Sequence, residues 1–426
     1  MSKALAGQTP SVDSNLLLPT QQKERIITLD VVRGFAILGI LVLNIQSFAM
    51  PSAAYTNPNT YGDLSGVNYY VWYFSQLFFD MKFNTIFATL YGAGIMMLSQ
   101  RSLQQSANGL VESRQRFYHR SFWLLVIGMI HAYIFWYGDI LVSYAITGML
   151  IFFSRHWSTK SLLITGSALI GFGLLITVTL GYSLPYWSDT ELQDMKSYWA
   201  PSAADIAAEV QAYQGSWSEQ MEKRLPSTIM MQTQGFFMLL LWRTAGLMMI
   251  GMALIKSGFL TGKLDKKIYL LTLLPGLLIG LPLIAFGIEQ NLANNFSMEY
   301  SMFFGMLPNL TGSLLLSLSY ISILLLLVNA GLVQIISRSF ARIGQMALSN
   351  YLLQTLICTT LFYGTGFGKF GTFERSEQAL TVLMIWGFSA VSSKLWLTRC
   401  YYGPFEWFWR SLTYQQAQRL VRDSKI

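Results

Sequence analysis

Charge is what this sequence has least of. Only 12% of its 426 residues are Asp, Glu, Lys or Arg, while 53% are apolar. A soluble globular chain carries about 25% charged residues, and half that density cannot solvate a surface of this size. Cysteine is also scarce. Cys358 and Cys400 are too few for a disulfide framework. One lies inside an apolar run and the other at the end of one, so both read as inert thiols. A Walker loop, a zinc-type Cys/His spacing and a G-x-S-x-G elbow are all missing. Soluble-enzyme templates therefore do not apply, and no metal is expected. The first 23 residues are polar and lack an apolar h-region, which argues against a cleavable signal peptide and for a disordered cytoplasmic tail. No internal repeat is visible, which weighs against the inverted-repeat transporters.

Long apolar runs take up the rest of the chain, for example Ile268–Ile288 and Leu314–Val328. Runs of ~20 residues match a hydrocarbon core ~30 Å thick at 1.5 Å per residue. The expected fold is all-α, a polytopic membrane bundle of about ten helices. The spans fall at roughly 29–50, 67–100, 120–137, 140–155, 161–184, 229–257, 268–288, 302–330, 345–366 and 378–399. The second would be about 51 Å long as one helix, too long for a bilayer. A break is therefore expected near Asp80-Met81-Lys82-Phe83-Asn84, with an interfacial or half-buried helix before it.

A net charge of +8 could point to nucleic acid. The basic residues instead sit in short segments between apolar spans, the positive-inside pattern, and no nucleic-acid partner is expected. With the N-terminus inside, 20 of the 29 Lys and Arg fall on the cytoplasmic side, 5 outside, and Arg33, Lys82, Arg243 and Lys394 within spans. That split puts both termini in the cytoplasm. The chain divides into a tail at 1–28, a transmembrane domain at 29–400 with an outer segment at about 185–228, and a cytoplasmic segment at 401–426. The outer segment reads as short amphipathic helices. The stretch Gly403–Arg410 reads as an interfacial helix with Pro in its first turn.

Ionisable groups inside a membrane are costly, so each asks for a reason. His131 lies 11 residues beyond Arg120, roughly 16 Å up its helix. It is either a proton-handling or catalytic base, or a buried imidazole bonded to a neighbouring helix. Arg243 lies about 20 Å from the Lys256 end of its helix. It either serves an anionic ligand or closes a salt bridge, for example to Asp139 or Asp80. Asp139 ends the turn Trp136-Tyr137-Gly138-Asp139, where it either caps the next helix or orients His131. Asp30 and Arg33 open the first helix at i, i+3, as a structural pair or with Arg33 reaching a cytoplasmic phosphate. Asn44, Asn350 and Gln354 are amides within spans that join helices or line a site. Gly92-x-Gly94 fits close helix packing better than ligand binding.

Four blocks resemble the YeiB-type bacterial inner-membrane proteins, a family defined by a domain of unknown function. They are Leu29-Asp30-x-x-Arg33-Gly34-Phe35-Ala36 followed by Asn44; Gly128-x-x-His131 leading to Trp136-x-Gly138-Asp139; Gly344-x-Met346-Ala347-Leu348-x-Asn350-Tyr351-Leu352-Leu353-Gln354; and Gly403-Pro404-x-Glu406-Trp407-x-Trp409-Arg410. More distantly, the Leu-Asp-x-x-Arg-Gly opening resembles the transmembrane acyltransferase superfamily that includes heparan-α-glucosaminide N-acetyltransferase. That resemblance implies acyl transfer from cytoplasmic acyl-CoA to an acceptor on the far side through a membrane-embedded histidine. In that superfamily the histidine follows the first span; here Pro51–Val67 holds none, and His131 would take the role.

The leading expectation is a membrane-embedded acyltransferase-like protein of the bacterial inner membrane, with acyl-CoA as donor substrate and a small-molecule or lipid-linked acceptor. His131, Asp139 and Arg243 are its candidate catalytic residues; Arg33, Asn44, Asn350 and Gln354 are candidates for donor binding. The alternative is a transporter or flippase of an anionic or lipid-linked molecule, with Arg243 binding substrate and His131 relaying protons. A non-enzymatic scaffold is a third reading, and a homodimer is compatible with all three. Orientation is directly testable. Reporter tags at residue 426 and near 262 should both report cytoplasm, and one near 205 the outside; an external C-terminus overturns the topology.

Overall fold

The computed structural model describes residues 25–105 and 109–422. The described residues form helices joined by short turns and contain no strand beyond one isolated bridge between Cys400 and Val421. In chain order the first helices are α1 (Ile27–Ala49), α2 (Gly66–Phe78), α3 (Lys82–Gln105), α4 (Gly109–Ile130), α5 (Leu141–Ile151) and α6 (Thr159–Ser183). Three short helices follow, α7 (Asp189–Trp199), α8 (Ala203–Gln214) and α9 (Trp217–Met230), and then α10 (Leu241–Lys256). α11 (Lys266–Pro275) runs into α12 (Leu281–Ala293) through a π-helical turn at Gly276–Gly280. The chain closes with α13 (Met298–Ser301), α14 (Leu307–Asn329), α15 (Gln334–Gln345), α16 (Ala347–Phe362), α17 (Arg375–Arg399) and α18 (Pro404–Tyr414). Among the described residues six helical stretches are long and apolar enough to cross a membrane: Ile27–Ala49, Thr159–Tyr186, Trp217–Lys256, Lys266–Ala293, Leu307–Asn329 and Arg375–Arg399.

On α17 the inward face carries Gln378, Thr381, Ser389 and Ser393, all buried, while Leu380, Leu383, Met384, Phe388, Val391 and Leu395 point outward. Apolar side chains gain little from one another in lipid, so helices associate through small residues and interhelical hydrogen bonds. The glycines act this way. A Cβ on Gly34 would lie 1.8 Å from the Phe340 carbonyl oxygen, and one on Gly344 2.0 Å from that of Asp30, so α1 and α15 cross backbone to backbone. Gly92 and Gly251 do the same for α3 and α10, against the carbonyls of Met248 and Thr89.

The expected break in the second segment is present. α2 ends at Phe78, and Met81 adopts a left-handed φ of 63° before α3 begins. Other boundaries move. The span at 229–257 is the end of a 40-residue rod formed by α9, the π-helical Met231–Leu240 and α10. The span at 120–137 starts at Gly109, and that at 302–330 begins its long helix only at Leu307. The segment at about 185–228 is helical as expected. α7, α8 and α9 each start on a serine whose hydroxyl accepts the N3 amide, with full capping boxes at Ser188/Glu191 and Ser216/Glu219.

These short helices and the turns at 51–65, 294–306 and 363–374 roof one end of the bundle. Asn57 donates to the Trp199 carbonyl, and the Trp199 indole donates to that of Phe296. Buried Arg375 holds the carbonyls of Pro58, Tyr61 and Asp63. The opposite end carries α15 and α18, the latter with Pro at its first position as expected. The expected tail lies largely in residues 1–24, outside the described residues.

The close glycine contacts set a stability expectation. Gly251→Val places side-chain atoms against the Thr89 backbone and should cost about 1–3 kcal/mol or more, read as a lower melting temperature in detergent. Gly94→Val, where an added Cβ meets nothing within 4 Å, should be near neutral. Equal losses at the two positions would remove backbone contact as the cause.

Candidate functional site

The site begins with a change of helical pitch. α4 gives way at His131 to a π-helical turn, His131–Phe135. Such turns widen the helix and free carbonyls that then need other donors. Here the His131 carbonyl accepts the Trp136 amide at 2.9 Å, and the Ala132 carbonyl accepts the Thr228 hydroxyl at 3.2 Å. The Phe135 carbonyl accepts a guanidinium N–H of buried Arg224 at 3.0 Å. The helix α9 thus supports the distortion from its flank. Trp136 stacks on Phe48 of α1 at 4.3 Å between ring centroids, fixing the following turn.

At the end of that turn Asp139 takes both of the roles considered for it. Its Oδ1 accepts the Val142 amide at 2.8 Å, capping the first turn of α5, and its Oδ2 lies 2.7 Å from His131 Nδ1. The other imidazole nitrogen, Nε2, lies 2.9 Å from the Thr355 hydroxyl on α16. The Tyr351 ring, one turn earlier on α16, sits 5.0 Å from the imidazole. His131 and Thr355 are each 2% exposed. An ionised carboxylate only accepts, so Asp139 fixes the imidazole proton on Nδ1 and leaves the Nε2 lone pair facing the Thr355 hydroxyl. Asp139, His131 and Thr355 therefore form a carboxylate–imidazole–hydroxyl relay assembled from a π turn, a loop and a distant helix. Sequence reasoning does not single out Thr355. Its one signal is its place four residues after Tyr351 and four before Thr359 in a span, on the face that turns inward.

Arg243 stands apart from the relay. It is buried between α3 and α14, donating to the Leu310 carbonyl at 2.8 Å and to the Thr85 and Ser313 hydroxyls at 2.9 Å. The salt bridge considered for it is not formed. Among the described residues no carboxylate, neither Asp139 nor Asp80, lies within 4 Å of its nitrogens. Asp80 accepts from the Asn309 amide, and the fully buried Lys82 donates to Asn309 Oδ1 and to the Gln76 carbonyl, each at 2.8 Å. Tyr144 of α5 donates its hydroxyl to the Asn84 carbonyl at 3.1 Å.

The remaining candidates separate. Gln354 donates to the Ile37 carbonyl at 3.1 Å, and Asn350 to the Ile343 carbonyl and the Ser393 hydroxyl, so both tie α16 to its neighbours. Asn44 is half-buried on α1, with no side-chain hydrogen bond among the described residues. Arg33 donates to Asp30 at 2.7 Å at the foot of α1. Glu406 of α18 caps α16, accepting the Leu348 and Ser349 amides at 2.7 and 3.0 Å; burial pushes its carboxyl above the usual range. Among the described residues no group of three His, Cys, Asp or Glu is arranged to hold a metal ion.

Comparison with known proteins places this geometry in a family. The family model described as "Protein of unknown function (DUF418)" matches residues 254–416, a stretch that holds Asn350, Gln354, Thr355 and Glu406. The chain is 35% identical over 413 residues to "Uncharacterized protein YeiB" of Escherichia coli (strain K12), spanning 92% of this chain and 97% of that protein. It is 27% identical over 427 residues to "Uncharacterized protein YxaH" of Bacillus subtilis (strain 168), spanning 96% and 99%.

The double duty of Asp139 gives an ordered expectation. Asp139→Ala leaves both the Val142 amide and His131 Nδ1 without partners and should cost about 1–3 kcal/mol or more. Asp139→Asn keeps the cap through its carbonyl and should cost less. Thermal melts of the purified variants check the order; two variants as stable as the parent would mean that the carboxylate holds nothing in place.

Proposed function

The chain belongs to the YeiB-type (DUF418) family, and on that footing we propose that it is a membrane-embedded acyltransferase moving an acyl group from cytoplasmic acyl-CoA to an acceptor at the outer face. About ten helices cross the bacterial inner membrane with both termini in the cytoplasm, so the roof of α7 and α8 faces outward. The observation that carries the reading is the buried relay Asp139–His131–Thr355, in which the imidazole is held at one nitrogen by a carboxylate and presents the other to a hydroxyl.

In this reading Nε2 of His131 is the general base. The acceptor's hydroxyl or amine takes the place of the Thr355 hydroxyl at Nε2. As its oxygen or nitrogen bonds to the thioester carbonyl carbon, its proton passes to Nε2. The carbon–sulfur bond then breaks, and the departing thiolate recovers the proton from the imidazolium. Asp139 stabilises the imidazolium and prevents ring rotation. Arg243, apart from the relay, is held by three neutral oxygens with no carboxylate in contact, so its charge remains available to an anionic group.

His131→Ala should fold, insert and still bind acyl-CoA but lose transfer by about 10²–10⁴-fold, the range for removal of a general base. His131→Gln should be equally inactive, since an amide keeps hydrogen bonds but carries no proton. The readout is release of free thiol from acyl-CoA by the protein in vesicles supplied with acceptor. Substrate movement across the vesicle without thiol release would replace acyl transfer with the transporter reading, in which His131 relays protons.

A further inference from the structure

The cytoplasmic end of the proposed topology holds a charge arrangement that the relay does not use. Arg25 and Arg33 both reach Asp30, through Arg25 Nε to Oδ2 at 3.3 Å and Arg33 Nη1 to Oδ1 at 2.7 Å. Arg120 of α4 lies over the Trp409 ring at 4.3 Å, and Arg410, the next residue of α18, lies over the Tyr402 ring at 4.7 Å. Arg25 is in Coulombic range of Arg33 and Arg410, and Arg120 in range of the same two. All four are half-buried. Among the described residues the only carboxylate paired with any of them is Asp30, and the Arg120 and Arg410 guanidiniums donate no hydrogen bond. Among the described residues four cations share one anion there, leaving three charges that repel one another in a partly desolvated setting.

We propose that Arg25, Arg33, Arg120 and Arg410 form a cradle for a phosphate ester carrying two or more negative charges. A singly charged anion would leave most of the excess in place, whereas a phosphomonoester or diphosphate removes most of it. Guanidinium forks match phosphate oxygens bidentately, and stacking on Trp409 and Tyr402 presets two of them in orientation. The neighbouring helix N-terminus offers no competing site, because Glu406 already occupies the first amides of α16. The cradle also lies in line with the relay. Arg120 and His131 are 11 residues apart along one helix, three turns, which places them on the same face and roughly 16 Å apart. A molecule with its phosphates on the arginines and an extended arm could therefore reach His131. In this last respect the cradle rests on the acyl-transfer reading, as its donor end; the binding of phosphate does not.

Coenzyme A and inorganic pyrophosphate, titrated calorimetrically into the full chain in neutral detergent, test the proposal without any transfer step. A third arm measures phospholipid retained from vesicles of anionic phosphatidylglycerol against neutral phosphatidylcholine. The Arg120→Gln/Arg410→Gln double variant should weaken binding by about tenfold or more per arginine, while Arg114→Gln, an exposed arginine on the same helix, should leave it unchanged. If the double variant fails to fold, Arg33→Lys keeps the Asp30 pair but loses the fork, and should weaken binding by itself. Arginine-dependent binding of coenzyme A or pyrophosphate supports a soluble phosphate ester. Arginine-dependent retention of phosphatidylglycerol alone, a singly charged phosphodiester, overturns the cradle for a multiply charged ester and removes the donor role. No binding in any arm, or binding that ignores the arginines, overturns the cradle. Coenzyme A binding with no acyl transfer would leave the cradle standing and defeat only the function proposed above.

Discussion

Asp139 carries two carboxylate oxygens, and each fixes a different helix. The residue sits in a four-residue turn between α4 with its π extension and α5, and a buried carboxylate there must find donors at once or not be charged at all. It finds two: the Val142 amide, which starts α5, and His131 Nδ1, which ends α4. Charge-assisted bonds of this kind contribute about 1.5–3 kcal/mol each, so neither helix can rotate by a residue without loss. The π turn His131–Phe135 lies between the two residues so joined, and Thr228 and Arg224 take up two of its carbonyls.

Buried polar contacts between helices also recur elsewhere in the bundle, beside its apolar core. Ser393 on α17, Ser313 and Ser317 on α14, and Thr85 and Thr89 on α3 are all buried, and each has a hydrogen-bond partner. On α17 the large apolar side chains turn outward instead. Helix positions are fixed by backbone proximity at glycines such as Gly34 and Gly344, where no side chain stands between the two chains to give way. Precision at the relay comes from rigid helices held at close range.

Much of this is legible in the chain. Every expected span falls on helical structure, and the need to shorten a 34-residue stretch locates the break next to Met81. The cost of intramembrane polarity marks out His131 and the short turn after it marks out Asp139, and the cap and the orienting contact turn out to be one carboxylate. Thr355 escapes a sequence reading because a threonine inside a span costs little and has many bland explanations. Only the fold shows that its hydroxyl meets an imidazole 224 positions away. The salt-bridge option for Arg243 fails for the converse reason. Sequence can show that a buried cation needs oxygen, but not that one carbonyl and two hydroxyls will supply it. Asn350 and Gln354, candidates for donor binding by sequence, each tie α16 to a neighbour, which depends on which carbonyl each amide meets.

The C-terminal helix explains how the two halves of the relay are kept in register. α18 carries Glu406, which fixes the start of α16, and Trp409, whose ring lies against the Arg120 guanidinium and whose indole donates to the Arg120 carbonyl at 2.9 Å. It therefore grips α16 and α4 at once, the two helices that bring Thr355 and His131 together. Thr355 lies eight residues beyond Ala347, the first residue of α16, and His131 lies 11 residues beyond Arg120. Both separations are counted from points that α18 holds, so a shift of α18 along either helix would carry the hydroxyl or the imidazole with it. Their 2.9 Å contact in the interior is thus set partly from the end of the bundle where the arginines gather.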